Sequence, residues 1–60
     1  MSVVYNPESE TIAQIERLEL DARTVRRTIE HVKGQEDRRV LNRQLKEIQD
    51  QVEFLRKFLP

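Results

Sequence analysis

Cysteine and tryptophan are absent from these 60 residues, and glycine, histidine and tyrosine occur once each. Without cysteine, no disulfide can staple so small a chain and no thiolate can hold a metal. A single histidine makes a structural metal set improbable as well. No apolar run approaches the roughly 18 residues that a membrane span requires. Met1 to Pro7 has neither a basic start nor a long apolar stretch, so it does not read as a secretory leader. A glycine-rich phosphate loop is missing too. Lysine and arginine number 11, aspartate and glutamate 11, and the formal net charge is zero. The expectation from these absences is a cytoplasmic chain with no metal, no cofactor and no membrane partner.

Charged residues make up 37% of the chain. Such polarity alone suggests disorder. The apolar residues argue otherwise, because they keep a strict period. Ile15, Leu18, Ala22, Val25, Ile29 and Val32 are spaced 3-4-3-4-3, and Leu41, Leu45, Ile48, Val52, Leu55 and Leu59 are spaced 4-3-4-3-4. Each set is a heptad stripe down one face of a helix. Between them lies Lys33-Gly34-Gln35-Glu36-Asp37, which holds the only glycine.

The spacing predicts a single all-α domain over residues 1–60. An arm occupies 1–6, helix 1 runs 7–33, a turn spans 34–37 and helix 2 runs 38–59. Asn6, Pro7, Glu8 and Glu10 form a start signal, with Ser9 or Thr11 as alternative caps. Gly34 can close helix 1 cheaply in the left-handed conformation, and Asp37 can cap helix 2, with Gln35 as the less favoured start. A turn this short forces an antiparallel hairpin. Partners across the seam then have numbers that sum to about 70. Val25 meets Leu45, Ala22 meets Ile48, Leu18 meets Val52, Ile15 meets Leu55, and Ile12, broadening the stripe, meets Phe58.

Two helices give each stripe only one wall, and a lone hairpin of this size sits near break-even between burial and chain ordering. Val4, Tyr5, Ile12, Val40, Phe54 and Phe58 are apolar positions beyond the stripes. They form a candidate protein interface. A homodimeric four-helix bundle would use it, and so would another protein partner. Leu20 lies on the far side of helix 1 and receives no role.

No catalytic constellation is visible. His31 has Arg27 and Gln35 at its i−4 and i+4 positions, and Ser2 and Ser9 have no base at helical spacing. Glu16, Glu19, Glu30 and Glu47 read as solvent-facing helix formers. The chain is expected not to be an enzyme.

Charge is distributed unevenly. Residues 23–46 carry eight basic and three acidic side chains, or +5, against −4 over residues 1–22 and −1 over 47–60. Folding the hairpin gathers positive charge at the turn and negative charge at the free ends. Three accounts fit. In the first, the arginines simply face solvent, some paired at helical spacing as Arg26–Glu30 and Arg43–Glu47. Arg23, Arg27, Arg38, Arg39 and Arg43 can instead form a ridge for nucleic-acid phosphates, bound mainly through charge. Or opposite ends of two copies attract, an account shared with binding to an acidic protein partner. Sequence neighbours such as Arg38 and Arg39 diverge by about 100° on a helix, so a phosphate site should use Arg23 with Arg27 or Arg39 with Arg43.

In length and plan the inferred architecture is similar to the small homodimeric helical-hairpin proteins that regulate plasmid copy number by binding RNA loop complexes. The likeness covers no residue motif, so it carries no functional residue across. The reading is a non-enzymatic helical interaction protein, acting in assembly, adaptor or regulatory binding. The alternative is a small dimeric nucleic-acid-binding protein that uses the basic ridge.

Overall fold

The structure, a computed structural model, describes residues 7–59. It contains two α-helices, α1 over Pro7–His31 and α2 over Gln35–Arg56, folded back on each other through the three residues between them. The all-α hairpin expected from the two stripes is present. Helix interiors free of glycine and proline let each helix run unbroken, and the short link leaves only the antiparallel arrangement.

The heptad spacing fixes the seam. Ile15 and Ala22 are buried, at 6% and 5% exposure, and the other ten stripe residues are half-buried. Thr11 is also half-buried and continues the stripe one step toward the helix start. Its hydroxyl donates to the Pro7 carbonyl at 2.9 Å, so Thr11 belongs to the body of α1 and does not cap it. Ala22 is the only small stripe residue. It suits the closest helix approach, and its burial agrees with that place. The expected caps at Asn6, and the interface positions Val4 and Tyr5, lie outside the described residues.

The turn differs from expectation in three ways. α1 ends at His31 rather than at residue 33, and α2 begins at Gln35 rather than at 38. Asp37 therefore lies in the first turn of α2, beside Glu36, where both carboxylates face the positive helix end. Gly34 is not left-handed. It is the N-cap of α2 in an extended conformation, φ −81° and ψ 137°, and its carbonyl accepts the Arg38 backbone N–H at 3.0 Å. The physical reason lies in how α1 closes. Val32 N–H still donates to the Thr28 carbonyl at 3.0 Å. The Val32 carbonyl is met by the Arg38 guanidinium, also at 3.0 Å. A side chain from the next helix thus satisfies the first carbonyl past the end of α1.

At the other end, α2 stops at Arg56 rather than at residue 59. The next three backbone N–H groups, of Lys57, Phe58 and Leu59, bond to carbonyls three residues back at 3.1–3.2 Å. This tightened last turn carries Leu59 onto the seam, where it is half-buried.

The hairpin is one helix layer thick. The chain's principal extents are 53 × 23 × 12 Å and its radius of gyration is 15.1 Å. A compact chain of this length has a radius near 10 Å. The accessible surface is 5503 Å², where a compact folded chain of this mass exposes about 4,100 Å². Among the described residues, no large side chain is fully buried.

Candidate functional site

A single layer has two broad sides, and the seam is open to both. Side chains flanking the stripes decide the character of each. On one side, called here the Gln49 side, Glu19, Arg23 and Arg26 of α1 face Gln49, Glu53 and Arg56 of α2 across Ala22, Ile48 and Val52. Five of those six flanking residues are charged. Arg56 Nη2 donates to Glu19 Oε1 at 2.9 Å, so an ion pair bridges the two helices over the seam here.

The opposite side, the Gln51 side, is made differently. Gln14 and Arg17 face Gln51 and Phe54 across Leu18 and Leu55, and farther toward the turn Asp21 and Thr24 face Gln44 and Glu47 across Val25 and Ile48. Only three of those eight flanking residues are charged. Phe54 and Phe58 stand on it in a T-shaped contact, ring centroids 5.1 Å apart, and remain 57% and 63% exposed. Val40 is two heptads before Phe54, on the same line of α2, and is exposed as well.

This arrangement corrects one expected pairing. Ile12 is a heptad before Glu19 and so lies along the Gln49 side, while Phe58 lies on the Gln51 side. They do not meet. Both stay exposed, and Ile12 does not broaden the stripe; Thr11 lengthens it instead. Register alone matched their numbers, but the seam separates their sides. Leu20 points outward at 58% exposure, as its place on the far side of α1 requires.

The five candidate phosphate-binding arginines are all exposed but are not gathered. Arg23 lines the Gln49 side beside Glu19 and Glu53. Arg38 is committed to the Val32 carbonyl. Arg27 is a heptad after the outward Leu20, and Arg43 holds the matching outward place on α2, so these two stand on opposite edges of the hairpin. Arg39 and Arg43 remain one helical turn apart. Neither Arg26–Glu30 nor Arg43–Glu47 closes as an ion pair; Lys46–Asp50, at 3.6 Å, does. The roles of Arg38 at the turn and of the Glu19–Arg56 bridge were missed in the sequence. The available signals were a basic residue just past a short link and opposite charges at equivalent flanking positions of the two helices.

Among the described residues, no three His, Cys, Asp or Glu side chains come together as a metal-binding group. Among the described residues, no helix is long and apolar enough to cross a membrane. No family model matches the chain, and no curated protein or solved structure matches it either. The class that the fold and its surfaces define is a small all-α hairpin without a catalytic motif.

Proposed function

We propose that the chain is a non-enzymatic interaction module that works by protein–protein contact, self-association included. One observation carries this reading: the hairpin is a single layer whose seam stays half-covered, with an exposed phenylalanine pair beside it. A half-buried stripe gains by about 25 cal/mol for each Å² of apolar surface a partner removes from water. Exposed Phe54 and Phe58 are suitable anchors, since aromatic side chains dominate binding energy at interfaces.

The test is capture from native lysate, with and without nuclease, using the natural chain and a variant carrying Phe54→Ala and Phe58→Ala. Binding that survives nuclease and fails in the variant supports protein contact. Binding abolished by nuclease, and falling steeply with added salt, would replace this reading with phosphate recognition by the +5 turn region.

A further inference from the structure

The two broad sides differ in a way that selects one of them and names what covers it. We infer that a second copy of this chain docks on the Gln51 side, leaving the Gln49 side to solvent. This rests on the protein-contact reading above and specifies its surface and its partner.

Composition selects the side. Charged groups lose hydration when covered and are depleted from interface cores, whereas aromatic residues are enriched there. The Gln49 side is charged at five of six flanking positions and is crossed by its own ion pair. Covering it would desolvate all of these. The Gln51 side offers the amides of Gln14, Gln44 and Gln51, which can hydrogen-bond to their own kind, around the apolar Leu18, Val25 and Leu55. Of the five large apolar residues exposed among the described residues, three, Val40, Phe54 and Phe58, also stand there.

Area and charge select the partner. The paired helices, of 25 and 22 residues, run about 33–38 Å and are about 20 Å wide side by side, a footprint of about 700 Å², close to the roughly 800 Å² per partner of a standard interface. A second hairpin has the same outline and covers it fully. The net charge is zero, so two copies meet without net repulsion. Amide side chains act as both donor and acceptor, which suits a patch that must complement itself across a twofold axis. Nucleic acid fits this side poorly, because Arg17 is its only flanking cation among these groove residues.

Gln49 and Gln51 supply a matched test. They are the same residue type, on the same helix, both exposed, on opposite sides of the seam. Glutamate keeps the helix propensity of glutamine. Sedimentation equilibrium of the full chain should report a dimer. Gln51→Glu should raise the dimer dissociation constant about tenfold or more through like charges placed near a twofold interface, while Gln49→Glu leaves it within about twofold. Gln51→Leu provides the opposite sign, tightening the dimer where Gln49→Leu does not. If dissociation also unfolds the chain, helicity followed against concentration gives the same ranking. Equal effects at both positions, or a larger effect at Gln49, would overturn the choice of side. A folded monomer at high micromolar concentration would overturn the second copy, while nuclease-resistant capture of another protein by that monomer would leave the interaction reading standing.

Discussion

The open half of the hairpin and its turn half are held by different forces. In the open half, Ile15 is buried and the Glu19–Arg56 pair bridges the helices, with Ala22 buried at mid-hairpin. Around the turn no residue is buried, and the helices are joined by a guanidinium on a carbonyl and by a glycine at the head of α2. Packing therefore secures the end remote from the link. The link itself is secured by exposed polar contacts, which are individually weaker. Chain connectivity can do at the turn what side-chain burial must do elsewhere.

The largest break in this contrast should come from Ile15→Ala. Truncating a buried isoleucine costs about 2–5 kcal/mol, enough to unfold much of so small a domain. Ile29→Ala, at a half-buried place near the turn, should cost roughly half as much by the same rule. Urea titration followed by helical circular dichroism ranks the two, and equal losses would erase the distinction between the halves. Ala22→Leu comes next. Ala22 is buried against α2, and overpacking there should cost about 1–3 kcal/mol.

Effects at the turn should be smaller. Arg38→Gln removes the donor to the Val32 carbonyl. Because the contact is exposed to water, its loss should cost about 0.5–1 kcal/mol. The same titration reads it, and a loss as large as that of Ile15→Ala would mean that the turn carries the fold. Gly34→Ser should stabilise by a few tenths of a kcal/mol, roughly the advantage of a serine N-cap over glycine. The extended backbone at Gly34 accepts a side chain, and a Cβ there would meet only the Asp37 carboxylate group, at 3.4 Å. A left-handed glycine would instead make serine cost about 1 kcal/mol or more.

That last contrast shows where the sequence could be read and where it could not. Helix seams follow from spacing, because a side chain's face is fixed by its place in the heptad. All twelve stripe residues are shielded for that reason. The start of α2 depended on a competition between two caps. Asp37 is the better capping side chain, but Gln35 and Glu36 are good helix formers, and an extended Gly34 can begin a helix without any side-chain bond. The sidedness of Ile12 and Phe58 was legible in the same heptad positions. It was missed because matching numbers across the seam gives register and says nothing of side. Arg38 at the Val32 carbonyl depended on the path of the link, which local pattern does not determine. The phosphate-ridge residues were placed by charge, and charge alone does not distinguish an edge of a helix from a broad side. Arg27 and Arg43 accordingly fall on opposite edges.

Both halves share one deficit, a seam with a single wall on each helix. The claim that this wall is completed by another chain is tested most directly by thermal unfolding at concentrations spanning about a hundredfold, read by circular dichroism alongside molecular mass. Association that favours the folded state makes the midpoint depend on concentration. The account predicts a midpoint that rises across the series, with the mass of two chains at its upper end. A constant midpoint, with the mass of one chain throughout, would contradict it.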